Sequence, residues 1–221
     1  MTRSELAAYI DHTALKPETL TLDIEKLCAE AHQHQFAAVC IAPRHVPLAA
    51  HLLKGSDVHL ATVVGFPHGD TLSRAKAQET RDAIDAGAEE IDMVIAIGAA
   101  RQGDWKYLHD DIAAVVHAAR GAAILKVILE NAYLNADQIA RACQIAKAAG
   151  ADYVKTSTGF AASGAKIDDV RLMREVVGEE MGVKAAGGIR DLETALAMIE
   201  AGASRLGCSA SIAILDQLSS E

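Results

Sequence analysis

Ala122-Ala123-Ile124-Leu125-Lys126-Val127-Ile128-Leu129-Glu130 is a short apolar run, and Asp152-Tyr153-Val154-Lys155-Thr156-Ser157 is another, rich in β-branched residues. Between them, Asp137–Ala149 carries apolar residues at helical spacing. A strand, a helix and a strand in direct succession predict two parallel strands joined by a crossover helix. The pattern continues in both directions. Strands are expected at Tyr9–Thr13, Phe36–Ala42, Val58–Phe66 and Glu90–Ile97 before this unit, and at Val183–Gly187 and Ser204–Gly207 after it. Amphipathic stretches at Thr71–Ala86, Trp105–Ala119, Asp168–Val177 and Leu192–Glu200 fill intervals between them. Eight strands alternating with helices along 221 residues predict an α/β chain folded as a single (β/α)8 TIM barrel over residues 1–221. A short helical extension is expected at the N-terminus. An open doubly wound sheet is the competing architecture.

A weak internal repeat supports the barrel. Ala86-Gly87-Ala88, Ala149-Gly150-Ala151 and Ala201-Gly202-Ala203 each close a helix just before the fourth, sixth and eighth strands. Glycine at such a place fits a left-handed helix cap. Tight helix–strand packing alone could also select these small residues, so the repeat bears on architecture and not on function.

Composition narrows the function. Hydrophobic residues make up 51% of the chain, ample for a large core, whereas aromatics are only 4%, too few for a base-stacking platform. The net charge of −9 argues against nucleic acid or an anionic membrane as partner, and an anionic substrate would need a local positive pocket. No apolar run approaches the roughly 18 residues of a membrane span. Met1-Thr2-Arg3-Ser4-Glu5-Leu6 lacks the apolar segment of a signal peptide. Cys28, Cys40, Cys143 and Cys208 lie far apart and read as free thiols in a reducing cytoplasm.

Four consecutive strands each carry an ionisable residue among apolar neighbours: Asp92, Lys126, Lys155 and Lys184. Alternate residues of a barrel strand point inward, and outward ones meet the apolar faces of helices. All four are therefore expected to converge on the barrel axis, three cations against one carboxylate. A single buried Lys–Asp pair is most often structural. An excess of one sign is not, because like charges in low dielectric push one lysine toward its neutral form. A neutral lysine attacks carbonyls and forms a Schiff base whose iminium is an electron sink for C–C cleavage, with a nearby carboxylate moving protons.

Other signals are weaker. Neither a Gly-x-Gly-x-x-Gly fingerprint nor a P-loop is present, so no nucleotide or hydride cofactor is expected. His32-Gln33-His34 has metal-like spacing but no convincing third ligand, and it reads as a helix end; no metal is expected. His68, in Gly65-Phe66-Pro67-His68-Gly69, fits either a loop or a substrate wall, and Cys40 reads first as a buried thiol. Three turns follow the last three strands: Thr158-Gly159, Gly187-Gly188-Ile189-Arg190 and Gly207-Cys208-Ser209-Ala210-Ser211. Barrel enzymes often bind phosphate at the loops after strands seven and eight, where backbone N–H groups face the anion.

These residues resemble the deoxyribose-phosphate aldolase family, class I aldolases on a (β/α)8 barrel. The resemblance runs through Asp11-His12-Thr13, Cys40-Ile41-Ala42-Pro43-Arg44, Gly65–Gly69, Glu90–Val94, Leu125–Glu130, Val154–Gly159 and Lys184–Arg190. It implies Lys155 as Schiff-base former, Lys184 as its pKa-lowering neighbour and Asp92 as proton-relay partner. Around the substrate it and the glycine-bearing turns place Lys126, Asp11, Cys40, Thr158, Gly159, Gly187, Gly188 and Ser209. The implied reaction is reversible cleavage of 2-deoxy-D-ribose 5-phosphate to D-glyceraldehyde 3-phosphate and acetaldehyde, in deoxynucleoside catabolism. Homo-oligomer formation is left open. Two features depart from the family: Ala210 stands where a second serine is common, and the chain ends Leu218-Ser219-Ser220-Glu221 where some members end in tyrosine. A barrel aldolase for another sugar phosphate, or a non-catalytic sugar-phosphate binder, are the alternative readings.

Overall fold

The computed structural model describes residues 1–218; Ser219, Ser220 and Glu221, on which the comparison with tyrosine-ending family members falls, lie outside the described residues. In chain order the elements are α1 (Arg3–Ala7), β1 (Ile10–Ala14), α2 (Thr21–His34), β2 (Ala38–Ile41), α3 (Val46–Leu52), β3 (His59–Val64), α4 (Ser73–Asp85) and β4 (Glu90–Val94). There follow α5 (Ile97–Gln102), α6 (Trp105–Ala119), β5 (Ile124–Ile128), α7 (Ala136–Ala149) and β6 (Tyr153–Lys155). The last are α8 (Ile167–Val177), β7 (Gly182–Ala186), α9 (Leu192–Glu200), β8 (Arg205–Cys208) and α10 (Ser211–Leu215). Single 3₁₀ turns at Pro43–His45 and Asn131–Tyr133 follow β2 and β5. The strands pair in parallel, β1 to β8 in order, and β8 closes on β1. The chain is a (β/α)8 barrel with the expected N-terminal helix, α1, ahead of the first strand.

Local chemistry starts the helices where the sequence changes register. Thr2 and Glu5 cap α1 reciprocally, and Asn135 and Gln138 do the same for α7. These boxes satisfy backbone N–H groups that have no partner inside the first turn. Asp104 and Asp191 cap α6 and α9 by accepting the Tyr107 and Thr194 N–H groups. At the three Ala-Gly-Ala sites the glycines hold positive φ: Gly87 at 111°, Gly150 at 90° and Gly202 at 108°. Each follows the end of a helix that leads into β4, β6 or β8. His32 and His34 fall in the last turn of α2.

Outward-facing strand residues such as Ile91, Met93, Val127, Val154 and Val183 pack beneath the helices in one large apolar core. The lumen is divided. Ala38 and Cys40 of β2 and Ala61 and Val63 of β3 form a small separate apolar cluster, against which Leu15 and Phe66 pack. From β4 round to β1 the inward residues include Glu90, Asp92, Lys126, Lys155, Lys184, Arg205 and Asp11, nearly all fully buried. Among the described residues no helix is long and apolar enough to cross a membrane.

Candidate active site

Ladder register sets the charged wall. Asp92 is level with Lys126, Lys155 with Lys184, and Lys184 with Arg205. Neighbours in register point the same way, so the four residues predicted on the axis do meet. Asp92 is the hub. Its Oδ1 accepts from Lys126 Nζ at 2.8 Å, and its Oδ2 accepts from Lys155 and Lys184, both at 2.7 Å.

The expected imbalance of three cations to one carboxylate is corrected by two further carboxylates and one guanidinium. Lys126 also reaches Glu90 at 2.5 Å, and Lys184 also donates to Asp11. Arg205 donates to Asp11 at 2.7 Å and to Glu90 at 3.3 Å, with its guanidinium 5.9 Å from the centre of the Tyr153 ring. Four cations thus share three carboxylates. An excess of one positive charge survives, for a different reason than the sequence suggests. Glu90 was legible: it lies two residues before Asp92 and so shares its face. Arg205 opens a four-residue strand with no alternation to mark it.

Burial and neighbours sort the lysines. Lys126 and Lys184 are fully buried, which by itself lowers their proton affinity, but Asp92 with Glu90 and Asp11 overcomes this and raises both, Lys184 strongly. Lys155 is lowered. Burial is the main cause, Asp92 opposes it, and the like charge of Lys184 adds to it. Asp11, whose burial alone would raise it, is held down at about 2 by Lys184, Lys126 and Arg205. Removing one proton from Lys155 leaves the bonded cluster balanced, three charges of each sign. The Cys40 thiol is pushed up by burial and stays neutral.

Lys155 is where this wall opens. A cavity of about 480 Å³ above it is lined by Lys155, Thr158, Gly159, Gly187, Gly188 and Ser209 among others. Lys184, Asp92, Lys126, Asp11 and Cys40 do not line it; all five are fully buried, and the four charged ones connect to Lys155 through the network. The glycines at the rim are conformationally required. Gly187 and Gly188 hold φ of 85° and 82°, which L side chains rarely adopt. A Cβ on Gly207 would stand 3.3 Å from Lys184 Cε, so its absence gives the lysine room to cross the lumen.

Sequence reading missed other residues of this region. Lys16 and Arg190 line the cavity and supply positive charge at its mouth, beside Glu18 and Asp23. Glu130, buried at the end of β5, holds a left-handed φ of 56° and accepts hydrogen bonds from the Thr158 N–H at 3.3 Å and from the Thr158 hydroxyl. A strained, buried carboxylate beside a cavity suggests a functional constraint. Ala210, N-terminal to α10, is off the cavity wall, as is His68.

The residues of this site and the fold that carries them have close relatives. The family model for the DeoC/LacD family aldolases matches residues 6–216. A protein of Clostridium perfringens named deoxyribose-phosphate aldolase is 55% identical over 216 residues, covering 98% of this chain and 96% of that one. A protein of Aciduliprofundum boonei with the same name is 52% identical over 219 residues, 99% of each chain. Among solved structures, the tetrameric deoxyribose phosphate aldolase of Aeropyrum pernix superposes with a TM-score of 0.92 at 30% identity, covering 99% of this chain and 93% of that one. With a closed barrel, a lysine opening from a buried charge cluster and a match spanning nearly all of its length, the chain belongs to the DeoC/LacD family of aldolases.

Proposed function

We propose that the protein is a class I aldolase that cleaves 2-deoxy-D-ribose 5-phosphate reversibly to D-glyceraldehyde 3-phosphate and acetaldehyde. The observation that carries this reading is Lys155: a buried amine at the floor of a solvent-reached cavity, in a cluster with one cation in excess, and the one lysine of that cluster whose proton affinity is lowered. The neutral amine adds to the C1 aldehyde of the open-chain sugar, and loss of water gives an iminium. The C3 hydroxyl then loses its proton, the C2–C3 bond breaks, and its electron pair moves onto the iminium to give an enamine. D-Glyceraldehyde 3-phosphate departs. Protonation at C2 and addition of water release acetaldehyde and the free amine.

Asp92 touches all three lysines, so protonated Lys184 can give up a proton across it toward Lys155 and take it back in the return step. So strongly paired a carboxylate is a weak base on its own, which makes the lysines its working partners. The backbone of Gly187, Gly188 and Ser209, with Lys16 and Arg190, suits the phosphate. Names carried by the relatives support this substrate. The reading also includes a cytoplasmic, homo-oligomeric enzyme, after the tetrameric relative.

Borohydride reduction in the presence of acetaldehyde, followed by intact mass and peptide mapping, tests it. The expected result is one reduced two-carbon adduct on the peptide containing Lys155. An adduct on Lys184 or Lys126 overturns the assignment of the nucleophile. An unchanged mass overturns amine catalysis and favours a sugar-phosphate binder.

A further inference from the structure

A second cavity, of about 640 Å³, lies beside the Lys155 cavity, and Leu15 and Phe160 line both. Its walls are apolar: Leu15, Pro43, Pro47, Val63, Phe66 and Phe160, with Arg44, Glu79 and Asp82 also lining it. Val63 belongs to the small apolar cluster of the lumen, and Leu15 and Phe66 pack on that cluster. The apolar wall opposite the lysines therefore continues without a break from Cys40 out into this groove.

Phe160 stands between the two spaces. Its ring meets Phe66 edge to face, with centroids 5.3 Å apart and planes at 89°. Its backbone is fixed: the Thr158 hydroxyl oxygen accepts the Phe160 N–H at 3.0 Å, and Thr158 is itself held by Glu130. The side chain is not fixed in the same way, being 49% exposed. A ring on an anchored backbone, with half its surface in water, can change rotamer on a fast timescale without disturbing the barrel.

We infer that this groove is a second acceptor subsite, for the apolar arm of an aldehyde that condenses at Lys155, and that Phe160 is the specificity-determining residue that gates it. The inference rests on the aldolase reading of Lys155. The glycine-rich rim takes a phosphorylated arm; the groove takes a hydrocarbon one. In the condensation, C2 of the two-carbon enamine on Lys155 forms a bond to the acceptor carbonyl carbon. The acceptor oxygen gains a proton, the iminium reforms, and water releases a 3-hydroxyaldehyde and the amine.

Hexanal and D-glyceraldehyde 3-phosphate, each offered with acetaldehyde, are the probes. A few methylenes buried in an apolar pocket discriminate by roughly 10- to 200-fold. Phe160→Ala is therefore expected to raise the ratio of kcat/KM for hexanal over D-glyceraldehyde 3-phosphate by about tenfold or more. Ala86 touches the groove and not the Lys155 cavity. Adding Ala86→Phe should abolish that gain while leaving D-glyceraldehyde 3-phosphate turnover unchanged. A gain that survives Ala86→Phe, or no gain from Phe160→Ala, overturns the subsite. Binding of 1-hexanol, which has no carbonyl, reads the groove apart from the chemistry by ligand-observed NMR. Binding lost in Ala86→Phe supports the subsite even where condensation fails with every acceptor, an outcome that would sink the aldolase reading alone. Equal binding, or none, in both proteins overturns the subsite.

Discussion

Two buried lysines of this barrel, Lys76 and Lys155, have the same perturbation and opposite surroundings. Both are held below the usual lysine range, and burial is the main cause in each. Lys76 sits outside the barrel between α4 and α6, donating to Asp111 at 2.6 Å and to the Val94 carbonyl at 2.9 Å. One cation meets one carboxylate, and Lys76 lines neither the Lys155 cavity nor the groove. Lys155 shares Asp92 with two other lysines and looks into a cavity. A depressed pKa is common to a structural lysine and to the proposed nucleophile. What separates them is charge count and access.

The comparison breaks most severely at Lys155. Lys155→Leu should abolish borohydride trapping and lower turnover by at least about 10³-fold, as expected for loss of a nucleophile. It should not lower Tm, because it removes the excess cation. Retained trapping would end the distinction between the two lysines. Asp92→Leu comes next. Turnover should fall by roughly 10²–10⁴-fold, the contribution of a positioned acid–base group; near wild-type rates would reduce Asp92 to charge balance.

Lys76→Met tests the other side. Removing one partner of a buried pair leaves an uncompensated charge on Asp111 and should cost about 3–5 kcal/mol in urea unfolding. Asp111 Oδ1 already lacks a hydrogen-bond partner, so the orphaned carboxylate has little local relief. Lys76→Met combined with Asp111→Leu should recover most of the loss, and both variants should form the Lys155 adduct normally. A stable Lys76→Met protein without the adduct would place Lys76 in the chemistry.

Lys184→Leu gives the smallest and most informative change. The positive charge of Lys184 lowers Lys155, so its loss raises the Lys155 pKa, and a smaller fraction of the amine is neutral near pH 7. The alkaline-rising limb of the pH–rate profile should move to higher pH. Burial remains, so the shift should be partial. An unmoved limb would leave burial as the sole cause.

Much of the barrel was legible because parallel strands buried on both faces read as apolar runs. The runs overshoot the ladders. Ala122–Glu130 reads as a strand, but pairing covers Ile124–Ile128, since apolar residues beyond the ladder still pack. Three helices escaped notice, and a fourth, α2, was read only at its His32–His34 end. The N-terminal region of α2 is marked by Leu20 and Leu22, which are exposed at 62% and 72% and blur any amphipathic pattern. Pro47 reads as a breaker, yet it occupies the first turn of α3, where no N–H is needed. α5 and α10 are too short for periodicity to register. In the site, the lysines stood out because each interrupts a run. Asp11, at the start of the chain, was joined to them only by family resemblance, because ring closure between β8 and β1 leaves no local trace.

The divided lumen has a bearing on the order in which products leave. In the proposed mechanism a two-carbon fragment on Lys155 sits at the edge of a lumen with charged groups on one side and the apolar cluster of Ala38, Cys40, Ala61 and Val63 on the other. The apolar side offers water no strong hydrogen-bonding partner. Lys155 opens to solvent through the cavity mouth, which the larger product of the proposed cleavage would occupy until it departs. Under the proposed mechanism hydrolysis then waits, so the phosphorylated aldehyde is expected to leave first and acetaldehyde last. In steady-state terms, acetaldehyde is the first reactant on in the synthetic direction, and the aldehyde that leaves second in cleavage is the one that competes with the sugar for the free amine.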